Sequence, residues 1–212
     1  MLVCNWKMFG NKALVDAYKN VLPTSPDIIV CPPFPLLVSL SEKFVIGAQN
    51  CHHEKEGAFT GEVSAYLLAE IGCRYVLLGH SERRQYAAET NALVIHKSNV
   101  AIDCGLIPIV CVGSQDEDVA MVKKALLSQL PSSKSAIIAY EPLWSIGTNR
   151  VPSLAHIQTI TAFIQDQGFK TVVYGGSVNE TNAKEISKVC NGLLIGRASL
   201  DPRIVHSIFA QC

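Results

Sequence analysis

The chain has 212 residues, 49% of them hydrophobic, which suffices for one large core and falls short of two ordinary domains. Lys plus Arg and Asp plus Glu each total 18, so the net charge is zero, and no basic block is present that would track a phosphodiester backbone; nucleic acid is not an expected partner. The N-terminal MLVCNWKMFG lacks a charged and then apolar leader, and no apolar run approaches the roughly 18 residues of a membrane span, so the expectation is a soluble, cytoplasmic protein with no membrane partner.

The first apolar run is LVC at 2–4, followed by Asn5, Trp6 and Lys7. A lone lysine is usually solvated; one placed directly after an aromatic at a strand end offers a fixed cation to an anionic ligand. IIVC (28–31) and FVIGAQ (44–49) follow, then the polar stretch CHHEKEGAFT (51–60), which by itself reads as an exposed loop. YVLLG (75–79) ends at His80, and Ser81-Glu82-Arg83-Arg84 reads as a first helical turn with its acid near the start. A histidine at the positive end of such a turn reads as a neutral hydrogen-bond donor. IPIVCV (107–112) comes next, and then AIIAY (136–140), which stops abruptly at a carboxylate, Glu141, locked in place by Pro142. TVVY (171–174) leads into Gly175-Gly176-Ser177, and GLLI (192–195) into Gly196. These glycines let backbone N–H groups approach a ligand closely, because no Cβ intervenes.

Eight such runs recur every ~20 to 35 residues, the length of a strand–helix unit. They are nearly unbroken in hydrophobicity, as parallel strands buried on both faces should be. Eight units predict an α/β fold, a single (β/α)8 barrel domain over residues 1–212; a doubly wound open sheet shares the same periodicity. In a barrel every strand end opens onto one mouth, so Asn5, Lys7, His80, Glu141, Ser177 and Gly196 would meet there. Phosphate sites of barrels commonly lie in the loops after strands seven and eight, where the glycines fall. The eight cysteines show no CxxC pair and sit mostly in apolar runs, which suits small buried hydrophobes in a reducing compartment better than disulfides or a metal site.

The motifs NWKM (5–8), AQN (48–50), GAFTGE (57–62), YVLLGHSERR (75–84), CVG (111–113), AYEPLWSIGT (139–148), YGGSV (174–178) and IGRASL (195–200) resemble those of the triosephosphate isomerases, in the family's order along the whole chain. GHSERR and AYEPLWSIGT are highly specific. That family is a standard illustration of acid–base tuning and of lid closure. The resemblance implies a TIM barrel that interconverts dihydroxyacetone phosphate and D-glyceraldehyde 3-phosphate through an enediolate, a step of glycolysis and gluconeogenesis, without cofactor or metal. It implies Glu141 as the base, neutral His80 as the electrophile, Lys7 and Asn5 as stabilisers of negative charge on oxygen, and Glu82 as the family's second carboxylate beside Lys7. Asn5, Lys7, Gly147, Ser177 and the backbone of Gly196 and Arg197 would hold substrate and its phosphate. Pro142, Leu143, Trp144, Ser145, Ile146, Gly147 and Thr148 would form a mobile lid continuing to residue 150, with Ile146 and Leu194 as an apolar clamp that strips water from the base. The loop 51–60 would reach into a second copy, making a homodimer in which Thr60 touches the partner subunit's Asn5.

Three departures accompany the resemblance. Arg197 stands where a second glycine is common, so its N–H faces phosphate only if the local backbone suits a residue with a Cβ. Pro152 falls where the family uses a lid N–H to reach the hydroxyl matching Tyr174, which predicts a closed lid held more by Ser177 and less by Tyr174. The chain is also short for such a barrel, with the missing length assigned to the first helical connection, to 114–135 and to 152–170; Ser114 also replaces a common glutamate. A catalytically impaired phosphate-binding barrel acting as a scaffold is the competing class, opposed by the joint presence of Asn5, Lys7, His80 and Glu141. Other phosphate-handling barrels, such as indole-glycerol or pentose phosphate enzymes, would not need GHSERR or AYEP.

Overall fold

Each apolar run forms a strand in the computed structural model, which describes residues 1–148 and 150–212. The strands are β1 (Leu2–Asn5), β2 (Ile28–Cys31), β3 (Val45–Ala48), β4 (Tyr75–Leu78), β5 (Ile107–Val112), β6 (Ile137–Tyr140), β7 (Val172–Tyr174) and β8 (Gly192–Ile195). Each pairs in parallel with its neighbours in sequence, and β1 pairs with β8 in the register Leu2 to Leu193. That last pairing closes the sheet into a barrel and removes both edges, which excludes the open doubly wound sheet.

The helices are α1 (Lys12–Val21), α2 (Leu37–Ser41), α3 (Ala65–Glu70), α4 (Ser81–Tyr86), α5 (Asn91–Asp103), α6 (Val119–Leu127), α7 (Leu154–Asp166), α8 (Ala183–Ile186) and α9 (Pro202–Gln211). Asn11, Ser64, Thr90, Asp118 and Ser153 cap five of them, each accepting from the N–H three residues on. Each such cap is worth about 1 kcal/mol. The first helical connection and the stretches 114–135 and 152–170 carry helices of ten, nine and thirteen residues, and α2, α3, α4 and α8 have five, six, six and four. A short helix suffices where one or two buried residues cover the strand beneath it, as Leu37 and Leu40 do from α2.

Side-chain alternation divides the apolar residues into two cores. Val3, Ile29, Tyr75, Ile109, Ile137 and Val173 point inward and fill the barrel. Val30, Val76, Val110, Ile138 and Ile195 point outward and pack against helix residues such as Tyr18, Leu68, Val122, Ile160 and Val205. The inward row of β6 runs Ile137, Ala139 and, one residue past the strand, Glu141. The inward row of β1 likewise runs Val3 to Asn5. The same period that fills the barrel therefore aims these two polar residues into its mouth.

Candidate active site

At the end of β1 the chain turns sharply so that Lys7 can reach back over the mouth. Lys7 takes φ +55°, a left-handed conformation that costs a residue with a Cβ about 1–3 kcal/mol. Two contacts hold it there. The Asn5 Oδ1 accepts from the Lys7 N–H at 3.0 Å, and the Gln49 amide donates to the carbonyls of Lys7 and Cys31, both at 2.8 Å. The Lys7 Nζ then lies 2.6 Å from Glu82 Oε1, which projects from the first turn of α4.

His80 is the N-cap of α4, and its Nδ1 accepts from the Glu82 N–H at 3.3 Å. Accepting that bond requires a lone pair on Nδ1, which places the ring proton on Nε2 and leaves the imidazole neutral. Nε2 faces Glu141 Oε1 at 3.3 Å. Glu141 is 2% exposed, and burial raises its pKa; His80, the Ser81 N–H and Lys7 oppose that shift, and Glu82 adds to it. Its backbone is held as firmly as its side chain is buried, since the Glu141 N–H donates to the Val112 carbonyl at 2.8 Å. At Gly113 a Cβ would stand 1.9 Å from the Glu141 carbonyl oxygen, so only glycine admits this approach. Beneath the carboxylate lies Cys111, whose thiol is pushed well above its usual range by burial and by the Glu141 charge, and so stays protonated.

The remaining wall of the mouth comes from β7, β8 and the lid. Lys7, His80, Glu141, Ser177, Gly196 and Arg197 all line one cavity of about 690 Å³, together with Ile146, Gly147 and Leu194. Leu194 is buried on the same side as Glu141, both standing 3.0 Å from where a Cβ at Gly175 would lie, while Ile146 is half-buried and Gly147 exposed. Arg197 opens a 3-10 turn, Arg197–Leu200, and is not among the residues with positive φ, so its Cβ meets no backbone conflict. Ser177, expected to bind phosphate, contacts Ser145 through both its hydroxyl and its N–H. Its hydroxyl donates to the Ser145 carbonyl at 2.6 Å and its N–H to the Ser145 Oγ at 3.4 Å, so the lid occupies both donors. The Tyr174 hydroxyl reaches the Ser145 Oγ at 3.5 Å. Of the expected lid segment 142–150, Asn149 lies outside the described residues. Among the described residues no cluster of three or more His, Cys, Asp or Glu is placed to hold a metal ion, and no helix is long and apolar enough to cross a membrane.

Comparison with known proteins gives this geometry its context. The triosephosphate isomerase family profile matches residues 1–212. The chain belongs to the triosephosphate isomerase family. The triosephosphate isomerase of Wolbachia sp. subsp. Brugia malayi is 42% identical, with 100% of this chain and 97% of that protein aligned. That of Aquifex aeolicus is 37% identical, with 98% of each chain aligned. The crystal structure of triosephosphate isomerase from Bartonella henselae superposes with a TM-score of 0.88 at 31% identity, covering 99% of this chain and 97% of that one.

Several groups that shape this mouth have roles that the linear sequence does not show, even where they lie inside the quoted motifs. Arg84 is one: its guanidinium donates to the carbonyls of Gly79 and Cys111 and to Asn91 Oδ1, tying together the ends of β4 and β5. Glu89 is another, buried between Arg83 at 2.9 Å and Lys97 at 2.7 Å, with Lys97 also donating to Asn50 at the root of the 51–60 loop. The AQN and SERR motifs contain Asn50, Arg83 and Arg84, but not their partners Lys97, Glu89 and Asn91. Gln49, Cys111 and Ser145 likewise look like ordinary residues until the fold brings them under the site.

Proposed function

We propose that the mouth interconverts dihydroxyacetone phosphate and D-glyceraldehyde 3-phosphate in a single domain, with Glu141 as the base. The observation that carries this reading is the buried carboxylate of Glu141 facing a neutral His80 at 3.3 Å in a cavity that also holds Lys7. Glu141 removes a proton from the carbon beside the substrate carbonyl, the C–H electron pair becomes the enediolate double bond, and negative charge develops on the carbonyl oxygen. The His80 Nε2–H and the Lys7 ammonium, which pairs with Glu82 while Asn5 holds the Lys7 backbone N–H, stabilise that oxygen as the charge appears. Glu141 then returns the proton to the neighbouring carbon, and the hydroxyl proton passes between the two oxygens.

Gly147, Ser177 and the Gly196–Arg197 backbone bind the phosphate once the lid moves and Ser145 releases Ser177. Ile146 and Leu194 then enclose Glu141. Closure excludes water from an intermediate that would otherwise lose phosphate, and the closed lid is held more through Ser177 than through Tyr174. The working unit is a cytoplasmic homodimer built on loop 51–60, a reading supported by the outward exposure of Phe59 and Thr60 and of Met8 and Phe9 beside the mouth. The test is steady-state isomerisation of D-glyceraldehyde 3-phosphate by the native chain and by Glu141→Gln. Loss of a general base should lower kcat by about 10²- to 10⁴-fold or more with the fold retained. A native chain that folds and binds phosphate without turnover would instead indicate the scaffold.

A further inference from the structure

We propose that the Arg197 side chain is a recognition group for the substrate's phosphate dianion, acting beyond the backbone N–H of the same residue. This inference rests on the isomerase reading of the mouth. The charges lining the cavity are Lys7 and Arg197 against Glu82 and Glu141. Lys7 is already engaged, with its Nζ 2.6 Å from Glu82. Glu141 is enclosed and faces a neutral imidazole. With Arg197 left out, a dianion entering this cavity would meet a net negative wall, a poor arrangement for capture in a low-dielectric mouth.

Arg197 corrects that balance. It is exposed, and among the described residues its side chain has neither an ion pair nor a hydrogen bond. It follows Gly196, whose absent Cβ would lie 3.3 Å from Lys7 Cε, so the two cations stand on adjacent strands at the same end of the mouth. Ser177 and Asn179 line the same cavity. A guanidinium presents two parallel N–H donors that match two phosphate oxygens, which an ammonium does not. Its 3-10 backbone also leaves the side chain anchored at a fixed root while its tip stays in water.

The experiment compares the full chain with Arg197→Met, which keeps length and removes charge, and Arg197→Lys, which keeps charge. Two quantities are read: KM for D-glyceraldehyde 3-phosphate, and the affinity for inorganic phosphate by titration calorimetry. In Arg197→Met both should weaken roughly tenfold at about 10 mM ionic strength, the scale of one charge acting on a dianion through water. The gap should close toward about 1 M salt, where the screening length is only about 3 Å. Arg197→Lys should recover most of the low-salt affinity and less of the fork-dependent part. Equal KM, phosphate affinity and salt dependence in the native chain and Arg197→Met would overturn the proposal. Phosphate affinity that depends on Arg197 in a native chain without turnover would remove the isomerase reading and retain this one.

Discussion

At the scale of single residues, Glu141 combines two properties that rarely coincide, burial and, in the proposed reaction, a task that requires ionisation. Burial holds its pKa above the ordinary carboxylate range, and the sign of the consequence follows directly. Below the unfolded value, about 4.3 for a free glutamate, both states hold the proton and the residue costs nothing. As pH rises, the unfolded chain releases its proton first, so stability falls until the raised native pKa is passed. Glu141→Gln should therefore resist urea better than the native chain at pH 7, with the difference vanishing on acidification below the ordinary glutamate range. The acid limb of kcat/KM in the native chain should likewise lie above that range. Coincident urea midpoints at every pH would contradict this account of the base. Glu141 was legible in sequence because an acid that abruptly ends an apolar strand stands out. Cys111 and Arg84 lie in quoted motifs, but their contacts were not legible, because a cysteine in a strand and an arginine in a helix look the same whether or not a carboxylate lies above them.

At the scale of elements, the proposed lid has one small hydroxyl at the centre of its inner contacts. Ser145 is fully buried, and its Oγ donates to the Arg150 carbonyl while lying within reach of Tyr174 and the Ser177 N–H. Gly176 is shaped around this junction, since a Cβ there would fall 2.0 Å from the Tyr174 hydroxyl and 2.9 Å from Ser145 Oγ. Pro152 offers no N–H to Tyr174, and the Ser145 hydroxyl stands in its reach instead. Ser145→Ala should cost about 1–2 kcal/mol, the usual toll of removing one partner from a buried polar group, read as a lower urea midpoint. Tyr174→Phe combined with it should be less than additive, because both changes delete the same contact. Strict additivity would show that the two hydroxyls do not interact. On the outer side of the same segment, Trp144 Nε1 donates to the Asp116 carbonyl at 3.2 Å and Arg150 pairs with Glu117 at 2.7 Å, so the β5–α6 loop braces it there. The segment 142–150 lies between β6 and α7, yet its partners come from the loops after β5 and β7, which only the closed barrel puts beside it.

At the scale of the whole molecule, the 51–60 loop is exposed along most of its length and folds on itself, with Phe59 against His52 at 4.3 Å between ring centres. Its root is fixed by the His52 N–H to Val63 bond and by Lys97 on Asn50. An exposed loop with so firm a base is suited to insertion into a second copy. Sedimentation at micromolar concentration should give a dimer, and an active monomer would overturn the homodimer.

The sequence by itself determined the eight strands, the order of the motifs and the polar residues at each strand end, because period-2 burial and abrupt changes of residue type are local and leave their mark on neighbouring letters. Only the tertiary structure decided closure, since the β1–β8 pairing joins the two ends of the chain and no local pattern encodes it. It alone decided that the helices are shortest at α2, α3, α4 and α8, because how much helix a strand needs depends on what else covers it. The occupation of Ser177 by the lid and the charge balance around Arg197 belong to the same class. Both are sums over groups distant in sequence, and such sums exist only once the chain has brought those groups together.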